Sequence, residues 1–209
     1  MPHSTLDDKA VVREYFNATG FDRWQRIYGD GDVNKVQANI RTGHQKTIDN
    51  VLEWIAEEED LAGITVCDAG CGVGSLSIPL AKMGAKVYAS DISEKMAEEA
   101  AVRAQAALSD ELTAEKMPEF EAKDLEAIDG NYHTVVCLDV LIHYPQEKAD
   151  DMIKHLSSLA SDRVIMSFAP KTCFYATLKK VGDFFPGPSK ATRAYLHRES
   201  DVVKALEDN

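Results

Sequence analysis

The stretch Ile64-Thr65-Val66-Cys67-Asp68-Ala69-Gly70-Cys71-Gly72-Val73-Gly74-Ser75 decides how the chain is read, because a short apolar run ends in a glycine turn that opens a helical pattern. Residues 64–67 predict a buried strand, and residues 75–83 predict the helix after it. Strand, turn and helix together begin a βαβ unit. The alternation then repeats downstream. Further strands are predicted over 86–90, weakly over 120–122, strongly over 134–138, and over 163–168. Between them Ser93 can cap a long helix on which Met96, Ala97, Ala100, Ala101, Ala104 and Leu108 recur at helical spacing, and a second helix is predicted over 146–159. Five strands alternating with helices imply an α/β fold, a Rossmann-like, doubly wound and mostly parallel sheet.

Upstream, residues 46–55 predict an amphipathic helix, while residues 1–45 carry aromatic and glycine punctuation without a strand pattern. Residues 1–45 are therefore expected to form an arm or lid outside the sheet, and residues 46–209 the core. Within that core, 171–198 reads as a lid-like insertion. It combines Phe174, Tyr175, Phe184, Phe185 and Tyr195 with the turn Pro186-Gly187-Pro188. A short helix over 199–206 follows.

The chain has 209 residues, 44% hydrophobic and 28% charged, enough for one compact domain with a sizeable core. Its 23 Lys and Arg against 35 Asp and Glu give a net charge of −12, which disfavours phosphate polyanions, so nucleic acid is not an expected partner. The acidic excess lies in 47–170, whereas 171–198 is basic. No run approaches the roughly 20 apolar residues of a membrane-spanning helix, and the first residues lack a secretory pattern, so a cytoplasmic protein is expected. Cys67, Cys71, Cys137 and Cys173 have no metal-type spacing and are expected to be reduced thiols. No metal site in the protein is expected.

A glycine turn between strand and helix lets a ligand approach the backbone closely and exposes N–H groups at the helix start. Gly70, Gly72 and Gly74 supply that turn, but Ser75 stands where a dinucleotide fingerprint has its third glycine. Asp68 also argues against a pyrophosphate, which it would repel. It would attract the ammonium or sulfonium of S-adenosylmethionine. Asp91, about 20 residues beyond Gly70, is placed to accept hydrogen bonds from two ribose hydroxyls. Asp124, after the third strand, can accept from an adenine amino group, with Ile92 and Leu125 as apolar faces for the base. Met96, Leu138 and Asp139 are expected beside them as cofactor contacts.

Val66 through Gly74, with Asp91 and Asp124, resemble the class I S-adenosylmethionine-dependent methyltransferases over residues 60–170. The N-terminal stretch Tyr15-Phe16-Asn17-Ala18-Thr19-Gly20-Phe21-Asp22-Arg23-Trp24-Gln25-Arg26-Ile27-Tyr28-Gly29 more specifically resembles the magnesium-protoporphyrin IX methyltransferase family of chlorophyll-making organisms. Phe184-Phe185-Pro186-Gly187-Pro188 and Tyr195-Leu196-His197-Arg198 are similar to the same family. The resemblance implies methyl transfer to a propionate of magnesium-protoporphyrin IX, yielding a monomethyl ester and S-adenosylhomocysteine. Magnesium then enters only as part of the pigment. His143, after the fourth strand, is the leading candidate to orient the propionate or take a residual proton from it, and Tyr28 to close over the site with its hydroxyl toward the carboxylate.

Lys171, Lys179, Lys180, Lys190, Arg193 and Arg198 are candidate cations for the propionates, or simply solvated surface. His44, His133, His155 and His197 are not assigned to magnesium, which prefers oxygen donors. The resemblance further suggests the porphyrin-binding subunit of magnesium chelatase as a partner, docked on Glu57-Glu58-Glu59-Asp60, and leaves room for peripheral association with photosynthetic membranes. The lack of a Ser/Arg-rich leader fits a cyanobacterial protein better than a chloroplast precursor. Such enzymes usually add a final antiparallel strand pair, which is expected to be missing where this sequence stops at Asp208-Asn209. Two other readings stay open: a methyltransferase of a quinone, catechol or other small acceptor, and a noncatalytic binding protein that regulates the pathway.

Overall fold

The computed structural model describes residues 5–29, 31–57, 60–172 and 194–207. Three helices come first, α1 (Thr5–Asn17), α2 (Thr19–Ile27) and α3 (Lys35–Ala56). The alternating part follows as β1 (Thr65–Ala69), α4 (Ser77–Lys82), β2 (Lys86–Asp91), α5 (Glu94–Leu108), β3 (Glu119–Ala122), β4 (Tyr132–Cys137), α6 (Gln146–Ser158) and β5 (Ala160–Met166). Helix α7 (Glu199–Glu207) comes last. All five strands are parallel, in the order β3-β2-β1-β4-β5. The order reverses at β1, so the β1–α4 and β4–α6 connections open side by side at one end of the sheet.

Alternation along the central strands builds two cores. Val66 of β1 and Val136 of β4 face Ile48, Val51 and Ile55 of α3, together with Leu80 of α4 and Leu108 of α5. Cys67, Ala69, Val135 and Cys137 face the other way, onto Met152, Ile153 and Leu156 of α6 and Val202 of α7. Both faces of β1 and β4 are thus covered, which is why these strands read as nearly continuous apolar runs. Cys67, Cys71 and Cys137 are free and buried, while Cys173 lies outside the described residues.

Helix α3 begins at Lys35, well before the predicted start at residue 46. Asn34 caps it, its side chain accepting from the Gln37 N–H while Gln37 Oε1 accepts from the Asn34 N–H. Strand β5 starts at Ala160 rather than 163, across a register shift between Tyr132 and Thr134. Ser161 and Asp162 look like turn residues, yet they are exposed, and an edge strand tolerates such polar side chains. Of the insertion expected over 171–198, residues 173–193 lie outside the described residues, including Lys179, Lys180, Lys190 and Arg193.

Candidate functional site

At the switch point the glycine loop adopts the backbone its residues allow. Gly70, Gly72 and Gly74 have φ of 88°, 54° and 81°. A Cβ on Gly70 would meet Val140 Cγ2 at 2.2 Å, and one on Gly74 would meet Ala100 Cβ at 3.3 Å, so these two glycines fit the loop against its neighbours. A Cβ on Gly72 would meet nothing within 4 Å, and Gly72 lines a cavity of about 570 Å³. Some of the loop N–H groups are taken up within the protein. Gly70 and Cys71 donate to Ser90 O at 2.8 and 2.9 Å, and Gly72 donates to Asp91 Oδ2 at 3.0 Å. Gly72 therefore offers a ligand close approach more than a hydrogen-bond donor.

Asp91, the last residue of β2, also accepts from the Ser93 N–H through Oδ1 at 2.8 Å. Each oxygen thus keeps capacity for a further donor from the cavity that Asp91 lines. Burial raises its carboxyl to about 6. Ser93 caps α5 by accepting from Met96 N–H, and its hydroxyl donates to Asn17 Oδ1 at 2.8 Å, which ties the arm to this corner. Ile92, Met96, Leu125 and Leu138 form apolar wall beside Asp91.

Two of the expected contacts are placed differently. Asp68 is inside β1, not beyond it, and does not line the cavity. Alternation turns it to the Val66 side, where Ser77 Oγ of α4 donates to it at 2.5 Å, and burial raises its carboxyl to about 6. It braces the loop against α4 from behind. Asp124 caps the 3-10 turn Leu125–Ala127 and faces α1, with Lys9 Nζ 3.3 Å from both carboxylate oxygens and Arg13 at 3.8 Å. Lys9 also pairs with Glu126. The carboxylate expected at the adenine thus latches the arm to the rim in this structure.

The other candidates converge on the cavity. Tyr28, just after α2, stacks on Trp24 at 5.2 Å and on His44 at 4.3 Å, and burial holds its hydroxyl well above the ordinary range, so it stays protonated. His143 sits on the 3-10 turn Leu141–His143, edge-on to Phe16 of α1 at 5.4 Å. Burial lowers its imidazole to about 4, partly opposed by Asp139. Such a ring is neutral at neutral pH and better suited to a hydrogen bond than to holding a proton. Asp139 has φ 58°, a costly backbone for a residue with a side chain. Its N–H donates to Ser167 Oγ at 2.7 Å, and its carboxylate faces His44 Nδ1 at 2.7 Å, which holds it below the usual carboxylate range.

Sequence reasoning missed His44 and Arg41, both on the early turns of α3. Arg41 Nε donates to Ile27 O at 2.6 Å, and Nη2 donates to Arg26 O and Gly31 O, each at 2.9 Å. The guanidinium closes the C-terminal end of α2, where carbonyls lack partners, and so fixes the backbone beside Tyr28. Arg103 Nη1 adds a bond to Tyr28 O at 3.3 Å. Helical periodicity could have brought Arg41 and His44 into view only if α3 had been extended back past Gly43. Replacing Arg41 with Met, which keeps the apolar stem, is expected to lower unfolding free energy by about 1–3 kcal/mol in a urea titration. Unchanged stability would show that the three carbonyls do not depend on it.

A family model described as magnesium-protoporphyrin IX methyltransferase C-terminus matches residues 137–209, and one described as methyltransferase domain matches 66–162. The chain is 59% identical over 209 residues to a magnesium-protoporphyrin O-methyltransferase of Synechocystis, covering 100% of this chain and 89% of that one. It is 63% identical over 200 residues to the chloroplastic magnesium protoporphyrin IX methyltransferase of Arabidopsis thaliana, covering 95% of this chain and 63% of the plant protein. A crystal structure of the Synechocystis enzyme with bound S-adenosylhomocysteine matches with a TM-score of 0.87 at 58% identity, over 96% of this chain and 88% of that one.

Proposed function

Because the chain belongs to the magnesium-protoporphyrin O-methyltransferase family, we propose that it methylates one propionate of magnesium-protoporphyrin IX to give the monomethyl ester. The observation that carries this reading is the continuity of the cavity. The glycine loop and Asp91 form one end, and the aromatic arm residues Phe16, Trp24 and Tyr28 roof the same space. One wall suits a nucleoside and the other a flat apolar macrocycle.

The fit to S-adenosylmethionine rests on Gly72, whose open side faces the cavity, and on the unsatisfied capacity of Asp91 beside Ile92, Met96 and Leu125. When bound, S-adenosylmethionine supplies an electrophilic methyl: its carbon–sulfur bond breaks as a carbon–oxygen bond to the propionate forms, and the electron pair stays on sulfur. The acceptor carboxylate, with an ordinary pKa of roughly 4–4.5, is already ionised near neutral pH. The protein therefore has to align the acceptor and strip water from it. Asp91 accepts from the ribose hydroxyls. Tyr28, kept protonated by burial, donates toward the propionate, and neutral His143 orients it without taking a proton. Asp139, fixed by His44 and Ser167, marks the methionine end near Leu138.

Among the described residues no helix is long and apolar enough to cross a membrane. Peripheral membrane association, and pigment supply by the porphyrin-binding subunit of magnesium chelatase, belong to the same proposal; the apolar pigment favours both. A pigment with both propionates already esterified tests the acceptor: it should bind, quench Trp24 fluorescence and accept no methyl. Methyl transfer to that blocked pigment would refute a carboxylate acceptor.

A further inference from the structure

The motif Tyr195-Leu196-His197-Arg198 plays no part in the chemistry above, yet its histidine is 0% exposed. His197 Nε2 donates to Leu141 O at 2.9 Å, and Nδ1 faces Gln146 Oε1 at 2.9 Å. Leu141 opens the short turn that carries His143, and Gln146 opens α6 directly behind it. The Leu141 carbonyl also accepts from Tyr144 N–H at 3.1 Å, so the imidazole completes its hydrogen bonding. Gln146 is itself held, its Nε2 donating to Asp150 Oδ1 at 2.7 Å.

The backbone around His197 grips the same place. Tyr195 N–H donates to Ile142 O at 2.7 Å, and His197 N–H donates to Ala169 O at 2.8 Å, while Lys171 N–H returns to His197 O at 2.7 Å. One short stretch thus joins the exit of β5 to the turn. Ile142, His143, Phe168 and Ala169, which flank the joint, all line the cavity. Both neighbours present an acceptor oxygen, so a neutral ring, with its single N–H, donates to the Leu141 carbonyl, one of the groups that set where the turn lies, and packs its other nitrogen against the Gln146 amide.

We propose that His197 is a positioning residue for methyl transfer: by holding the Leu141 carbonyl and packing against the Gln146 amide, it sets the angle at which the Leu141–His143 turn presents His143 to the reacting carboxylate. This rests on the reading of the cavity as the methyl-transfer site. His197 touches neither reactant, and it stands apart from the glycine loop and Asp91. Its loss should therefore slow the reaction without weakening S-adenosylhomocysteine binding.

The test compares His197→Leu with His197→Gln, whose amide can still donate to the Leu141 carbonyl, in the whole chain. His197→Leu is expected to lower kcat by about 10- to 100-fold, as small misplacements at reacting centres do, and to leave the Kd for S-adenosylhomocysteine within about twofold. His197→Gln should recover most of the rate. The ring resonances of His143, followed by NMR in the S-adenosylhomocysteine complex, should move in the Leu variant and return in the Gln variant. That measurement reads the turn even if the pigment proves not to be the acceptor. Should His197→Leu unfold, Gln146→Leu serves in its place, removing one of the two contacts and giving a smaller shift of the same resonances. An unchanged kcat, an equal loss of cofactor affinity and rate, absent rescue by Gln, or unmoved His143 resonances would each overturn the assignment.

Discussion

Gly72→Ala is expected to fold with close to native stability and to bind S-adenosylhomocysteine about 10- to 100-fold more weakly, while Gly70→Ala should lose both binding and stability. The difference comes from where each new methyl would lie. At Gly72, φ is 54°, a left-handed backbone that an L residue reaches at a cost of roughly 1 kcal/mol, and the methyl meets no protein atom within 4 Å. It projects instead into space that a ligand close to the loop must occupy, and overpacking of about 1–3 kcal/mol corresponds to that loss of affinity. At Gly70 the methyl falls 2.2 Å from Val140 Cγ2 at φ 88°. Val140 is β-branched and stiff at χ1, so the clash is relieved only by moving the strand-to-turn connection. A stability loss of about 2–4 kcal/mol is expected there. Thermal unfolding paired with calorimetric titration of S-adenosylhomocysteine separates the two cases. Tight binding by Gly72→Ala would show that the cofactor does not lie against the loop.

Asp91 gives the second large effect, one with a defined pH sign. Ribose hydroxyls donate to a carboxylate, so they favour its ionised form and lower its pKa in the complex. With the free carboxyl at about 6, affinity should be full above pH 6 and fall as the pH drops through it, by about tenfold near pH 5. The free protein should behave in the opposite sense. Asp68 and Asp91 both sit at about 6 when folded and near 3.9 when unfolded. The folded chain takes up protons first, so their contribution makes it more stable as the pH falls from 7 toward 4. Asp91→Ala should weaken S-adenosylhomocysteine by about 100-fold and abolish the pH dependence of binding. An undiminished slope in that variant would assign the titration elsewhere.

The parallel sheet was legible because β1, β2 and β4 carry apolar residues on both faces, and because Gly70, Gly72 and Gly74 interrupt them at one place. That Asp91 and Leu125 line the cavity was legible by position, since Asp91 ends β2 and Leu125 follows β3 on the same edge of the sheet. Direction was not. Asp68 and Asp124 stand near the expected strand ends, but the pleat turns the first toward Ser77, and Lys9 draws the second toward the arm. Neither outcome is visible in spacing along the chain. His44, Arg41 and His197 were missed as site residues for a related reason. Their roles depend on partners far away in sequence: Asp139, the carbonyls that end α2, and the Leu141 turn. Local pattern records which face a residue occupies, whereas polar pairing across the arm and the turn is settled only by packing.

Whether the chain methylates the pigment is decided by mass spectrometry of the tetrapyrrole after incubating the purified protein with S-adenosylmethionine and magnesium-protoporphyrin IX, beside metal-free protoporphyrin and the Asp91→Ala protein. A single added methyl is expected on the magnesium pigment, as a propionate ester, and far less of it with Asp91→Ala at the same cofactor concentration. Magnesium pigment recovered without the methyl, from a protein that still binds S-adenosylmethionine, would contradict that expectation and turn the search to other acceptors.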